Sequence, residues 1–126
     1  MFKQNSDMDK LYKDIYVSML NIFGSNIVKV VLYGSYARGD FDDESDIDIA
    51  VIAKGTDQEL QKHHHEMVKE SSRFMREYDK LVSLHEIPAD RYNRFKEAYP
   101  YYRNIETEGV TLQKNWLSLQ GPFLNK

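Results

Sequence analysis

The sequence predicts a single α/β (α+β) domain, a small mixed β-sheet with helices packed on it. Three observations lead there. Some segments carry apolar residues at helical spacing, and others are short β-branched runs. The segments follow one another as helix, strand, strand, helix, strand, helix, helix. The chain has only 126 residues, so sheet and helices must share one domain. That domain is expected to be residues 1–126, with a core over 8–112 and a tail over 113–126 that shows no clear period.

Residues 7–23 read as a helix. Ser6 or Asp7 can cap it, and Leu11, Tyr12, Ile15, Met19, Leu20, Ile22 and Phe23 supply its apolar face. Gly24 stops it. Residues 27–33, Ile-Val-Lys-Val-Val-Leu-Tyr, read as a strand, which Gly34-Ser35 ends abruptly. Tyr36-Ala37-Arg38 fits a single helical turn, and Gly39 to Ser45 is an acidic loop. Asp46 to Ala53 is the second strand, and Lys54-Gly55 ends it. Thr56 and Glu59 form a capping box. It opens one long helix to about residue 78, with Leu60, Met67, Val68, Phe74 and Met75 as its buried positions. Residues 79–87 read as the third strand, ended by Pro88. Asp90 then caps a short helix carrying Tyr92 and Phe95. Pro100 starts another, to Glu108, which Gly109 stops, and Val110-Thr111-Leu112 is a short strand.

Composition narrows the function. Hydrophobic residues make up 41% and charged residues 29%, which favours a folded soluble chain over disorder. The chain has no cysteine, so disulfides, thiolate zinc sites and cysteine nucleophiles are excluded. No apolar run approaches the roughly 18 residues that a membrane helix needs. The polar, mixed-charge start does not read as a signal peptide, and a cytoplasmic location is expected. The formal net charge of −3 argues against gripping long nucleic acid through its phosphates.

The chemistry concentrates in residues 34–48. In a strand, Asp46 and Asp48 point to the same face, with Cα atoms about 6.5–7 Å apart. Ile47, Ile49 and Val51 point the other way, which pins the register. Two carboxylates held this close repel unless a cation lies between them, and Mg²⁺ prefers oxygen ligands. A pair of such ions about 3.5–4 Å apart can serve an attacking oxygen and a leaving pyrophosphate together. Gly34 lets a phosphate approach its backbone, and Ser35 adds a hydroxyl donor beside the N–H groups of the turn. No Gly-Lys-Ser/Thr follows, so this is not a Walker loop. Arg38 can brace the loop by pairing with Asp40, Asp42 or Asp43, or touch a phosphate.

The run Gly34-Ser35-Tyr36-Ala37-Arg38-Gly39 followed by Ser45-Asp46-Ile47-Asp48 resembles the signature of the polymerase-β-like nucleotidyltransferase superfamily. The likeness is greatest to its minimal nucleotidyltransferases (MNT), the antitoxin partners of HEPN-type toxins. The order of elements resembles that fold over about residues 8–112. The resemblance implies that Asp46 and Asp48 bind Mg²⁺, with two ions expected, and that Gly34 and Ser35, with Arg38, hold the nucleotide. It implies a third acid on a later strand. Asp79, at the start of the expected third strand, is the candidate, as metal ligand or general base, with Glu86 as the alternative. It further implies ATP as substrate, and AMP transfer to a tyrosine of a HEPN-type toxin. Two other readings are an antitoxin that acts by binding alone, and a small-molecule transferase of the aminoglycoside type. The acidic loop Asp40, Asp42, Asp43, Glu44 speaks for the last.

Other features read as structural. His63-His64-His65 fan out around a helix and cannot share one ion. His85 reads as a core or edge residue. Tyr92, Phe95, Tyr99, Tyr101 and Tyr102 read mostly as packing.

Overall fold

The computed structural model describes residues 5–113, so the tail lies outside the described residues from 114 onward. Helix α1 spans Asn5–Phe23 and buries Leu11, Tyr12, Ile15, Met19 and Phe23. It starts earlier than expected, so Asp7 sits in its first turn, where a carboxylate suits the helix dipole, and is not its cap. A 3₁₀ turn over Gly24–Asn26 leads to β1, Ile27–Tyr33. Then come α2, Ser35–Arg38, and β2, Ile47–Ala53.

The single long helix expected after Thr56 is two helices, α3 over Asp57–Gln61 and α4 over His64–Tyr78. The capping box is present: Glu59 N–H donates to Thr56 Oγ1 (3.2 Å) and Thr56 N–H to Glu59 Oε1 (2.8 Å). The break falls at His63, whose φ of −94° and ψ of 0° leave the helical region. Its ring packs on Phe23 of α1, with centroids 4.7 Å apart. Leu60, Met67 and Phe74 are buried as expected, but Val68 and Met75 are 50% and 42% exposed. The inner stripe of α4 runs through Met67, Glu70, Ser71, Phe74 and Tyr78, and its polar members are tied down. Ser71 Oγ donates to Val82 O at 3.0 Å. Arg73 grips Asp14 of α1 through both terminal nitrogens (2.7 and 2.9 Å), and Tyr78 OH donates to the same carboxylate. Hydrogen bonds therefore give polar side chains inner places that an apolar count would have assigned to Val68 and Met75.

Strand β3 is Val82–Pro88, starting three residues later than expected. It is an edge strand, which tolerates the missing N–H of Pro88. Helix α5, Ala89–Phe95, follows directly. Asp90 lies in its first turn and Pro88 is the cap residue. Helix α6, Pro100–Glu108, and β4, Val110–Leu112, complete the described chain. Gly109 caps the C-terminus of α6, as expected, with an ordinary φ of −71°. Crowding favours glycine there: a Cβ would collide with the Ile105 carbonyl oxygen and the Val31 side chain.

The sheet order is β3-β2-β1-β4, with β2–β3 parallel and the other pairs antiparallel. This is the mixed α/β arrangement expected, with helices on both faces. Ile47, Ile49, Val51 and Ala53 join α1, α3 and α4 in one core cluster. Ala50, Ile52, Val31 and Ile87 join Tyr92, Tyr102 and Ile105 of α5 and α6 in the other. By strand alternation Asp48 belongs to the second face, and Asp46, the residue just before β2, joins it through Ser83.

Candidate active site

The end of β1 and the start of β2 meet at Asp48. Tyr33, the last residue of β1, is the Cα partner of Asp48 in the antiparallel ladder. The next residue, Gly34, has φ 79° and ψ −154°, a conformation that is close to glycine-only. A Cβ on Gly34 would stand 2.6 Å from Asp48 Oδ2. The missing side chain is thus what lets the turn and the carboxylate lie against each other. Arg38 N–H donates to Gly34 O (3.1 Å) and Gly39 N–H to Ser35 O (2.9 Å), so one helical turn closes here. The preceding amides, Ser35 to Ala37, are first-turn donors.

The loop between the turn and β2 is ordered by its own side chains. Tyr36 is buried and stacks on Phe41, with centroids 4.1 Å apart and planes 7° from parallel. Asp42 accepts from Glu44 N–H (2.9 Å) and Ser45 Oγ (3.2 Å), and Asp42 N–H donates to Ser45 Oγ. Ser45 and Asp42 therefore close a tight turn just ahead of Asp46. Arg38 Nε donates to Asp40 Oδ2 (3.1 Å) and Nη1 to Glu108 Oε1 (3.3 Å). Of the partners expected for it, Asp40 is the one engaged, and the link to Glu108 ties the loop to α6.

Across the parallel ladder, Asp48 faces Ser83 and Ala50 faces His85. Ser83 Oγ donates to Asp46 Oδ2 at 3.3 Å. On the other side, the Tyr33 and Tyr101 hydroxyls are 2.9 Å apart, and the Tyr33 and His85 rings lie 6.4 Å apart. Burial pushes the Asp48 carboxyl above the usual aspartate range. His85 and Arg38 pull it down, and the Asp46 charge pushes it up. Burial also raises the Tyr33 and Tyr101 hydroxyls, and the charge of Asp48 adds to both. The face thus holds two half-buried carboxylates, a serine hydroxyl, an exposed imidazole and a tyrosine pair. Two carboxylates and a hydroxyl are hard oxygen donors, a set that suits Mg²⁺ shared with phosphate oxygens.

The pattern of the family described as Nucleotidyltransferase domain matches residues 13–108, which includes every residue of this face. The chain belongs to that nucleotidyltransferase family. Two Methanocaldococcus jannaschii proteins, each named "Putative protein adenylyltransferase", are among its relatives. One is 34% identical over 74 residues, 59% of this chain and 73% of the relative. The other is 41% identical over 44 residues, 35% of this chain and 44% of the relative. The crystal structure of a "putative nucleotidyltransferase" from Sulfolobus solfataricus shares the nucleotidyltransferase fold. Its TM-score is 0.52 at 28% identity, over 88% of this chain and 89% of that one. The crystal structure of a toxin–antitoxin with AMP-PNP matches in fold at TM-score 0.50 and 18% identity, covering 86% of this chain and 77% of that chain.

Two expected positions differ in this nucleotidyltransferase. Asp79 does not open β3. It is the exposed residue that ends α4, with a left-handed φ of 56°, three positions before the strand begins. Glu86 pairs with Val51 and so shares the opposite face of the sheet from Asp46 and Asp48. Ser83 and Tyr33 carried no site role in the sequence, and His85 and Tyr101 read as structural. Strand alternation from a correctly placed β3 would have found Ser83 and His85. Nothing local could have found Tyr101, whose partner lies 68 residues away.

Proposed function

We propose that this nucleotidyltransferase moves AMP from ATP to a hydroxyl, with a tyrosine of a HEPN-type toxin as the acceptor. The observation that carries the reading is the seat of Gly34 against the Asp48 carboxylate, on the strand face shared with Asp46. That contact supports reading the turn as a phosphate seat and the two aspartates as a cation-binding pair beside it. Asp46 and Asp48 would hold Mg²⁺, which when bound screens the triphosphate and the departing pyrophosphate. The Gly34-Ser35 turn supplies backbone N–H groups and a hydroxyl to the phosphates. Arg38, already bridged to Asp40 and Glu108, keeps the turn and the acidic loop in place and leaves its charge beside the site.

The acceptor oxygen bonds to the α-phosphorus as the bond to the bridging oxygen breaks, and pyrophosphate leaves with that electron pair. The hydroxyl proton passes to a carboxylate oxygen of the aspartate face. The chain contributes position and charge, and no covalent intermediate is needed. The name borne by the two M. jannaschii relatives supports a protein acceptor. The AMP-PNP of the toxin–antitoxin structure supports an adenine nucleotide as donor, and that pairing makes a toxin the first acceptor to try.

The test is to incubate the chain with Mg²⁺, ATP labelled at the α-phosphate and the HEPN-type protein of an adjoining gene. Label should appear on a toxin tyrosine and vanish with the Asp46→Asn, Asp48→Asn double variant. If no label transfers, the proposal fails. A double variant that still neutralises the toxin would point to binding alone.

A further inference from the structure

We infer that this site holds one divalent ion beside the nucleotide and not two, because Ser83 stands where a third carboxylate would complete a two-ion site. The inference rests on the reading of Asp46 and Asp48 as ion ligands. Strand β3 runs parallel to β2 with Ser83 level with Asp48, and equal parity puts both side chains on one face. Ser83 Oγ reaches Asp46 Oδ2 at 3.3 Å. The position across the ladder is therefore occupied by a neutral hydroxyl that donates to an aspartate.

Four other acids are committed or placed elsewhere. Asp42 closes the turn before Asp46 and Asp40 pairs with Arg38. Glu86 is on the far face, and Asp79 ends α4 on exposed, left-handed backbone. Among the described residues, no three His, Asp or Glu side chains come together as an ion cage. His85, two residues beyond Ser83, shares this face but forms no such cage with the two aspartates.

Charge gives the same answer. Two carboxylates balance one divalent ion, whereas a second ion would lean on nucleotide phosphates alone. Ser83 also has a use in a one-ion site. Its O–H fixes one Asp46 oxygen and leaves the other for the ion, the part that outer partners of ligands commonly play.

The test uses Mn²⁺ in place of Mg²⁺ with AMP-PNP, which is not turned over. Electron paramagnetic resonance and equilibrium dialysis report the ions bound per chain. The wild-type chain should bind one ion with an uncoupled spectrum. Ser83→Asp should bind two and show a spin-coupled pair. Asp79→Asn should match wild type. A coupled pair in the wild-type chain overturns the inference, whether or not the Ser83 variant folds. So does a folded Ser83→Asp that still binds one ion, or an Asp79→Asn that binds fewer. If Asp48→Asn binds Mn²⁺ and AMP-PNP like wild type, the aspartate reading itself is what falls.

Discussion

Gly34→Ala isolates the contact on which the site depends. Two costs follow from the geometry. The backbone at φ 79°, ψ −154° is unfavourable for any side chain, by about 1–3 kcal/mol. The new Cβ would also stand 2.6 Å from Asp48 Oδ2. An ordinary C···O approach is about 3.3 Å, so the carboxylate must retreat by roughly 0.7 Å. Misplacing a reacting group by about 1 Å can cost on the order of 100-fold in rate. Gly39→Ala is the matched control, because Gly39 has φ 86° and open space around its missing Cβ. Both variants should melt lower, by roughly 3–5 °C per kcal/mol lost for a domain of this length. Only Gly34→Ala should lose AMP transfer, by about 30- to 100-fold. Calorimetry and label transfer on the two variants, together with Asp48→Ala and the Gly34→Ala, Asp48→Ala pair, complete the set. Removing the Asp48 side chain should return the stability cost of Gly34→Ala to the backbone part alone. Equal activity in Gly34→Ala and Gly39→Ala would show that the carboxylate does not need the close approach, and the site geometry argued above would be wrong.

Three further outcomes are expected. Asp48→Asn should melt higher than wild type near neutral pH while losing Mn²⁺ and nucleotide binding. Its folded carboxyl titrates above the unfolded value, so its ionisation opposes folding once pH passes that range, and the gain should fade below about pH 4. Arg73→Ala should lose about 2 kcal/mol near neutral pH, since it frees Asp14 and Glu70 in a partly covered seam between α1 and α4. Burial pushes Asp14 up, but bonds from Arg73 and Tyr78 hold it below the usual range, so this stability exists above the unfolded pKa of about 3.9 and is lost as pH falls through the lower folded value. Urea midpoints near neutral pH and in acid should therefore separate the two chains first and bring them together later. Gly109→Ala should cost about 1–3 kcal/mol despite its ordinary φ, because its Cβ meets the Ile105 carbonyl oxygen and Val31; a neutral melting temperature would contradict that crowding.

The centre of the site was legible because local rules decide it. The alternation from Asp46 to Val51 fixes which face the acids take, and the β-branched run before Gly34 fixes where the first strand stops. The third strand was harder. Where it starts depends on where α4 ends, and α4 ends on an aspartate in left-handed backbone, where the usual signal would be glycine. Moving the start from 79 to 82 changes which residue stands across from Asp48. Val68 and Met75 failed for a different reason. Apolar spacing cannot see that Arg73, Ser71 and Tyr78 find partners on α1 and β3 and so claim the inner places. Likewise, the tyrosine pair joins residues 68 positions apart, and no periodicity connects them.

The mixed topology explains why the acids sit where they do. Because β1 is antiparallel to β2, its exit delivers the Gly34 turn to the start of β2. Because β3 is parallel to β2, its first residues arrive at that same end. The parallel connection must cross over a face, and α3 and α4 do so on the side of Ile47, Ile49 and Val51. That leaves the aspartate side to α5, which follows β3 directly from its far end, and to α6. They cover Ala50 and Ile52, α6 also brings Tyr101 against Tyr33 beside Asp48, and both aspartates remain half-buried. The carboxylates thus gain a rigid strand beneath them without full enclosure. Full burial would raise their pKa further and keep protons where a cation is wanted. Full exposure would give up the low-dielectric setting that strengthens their hold on charge.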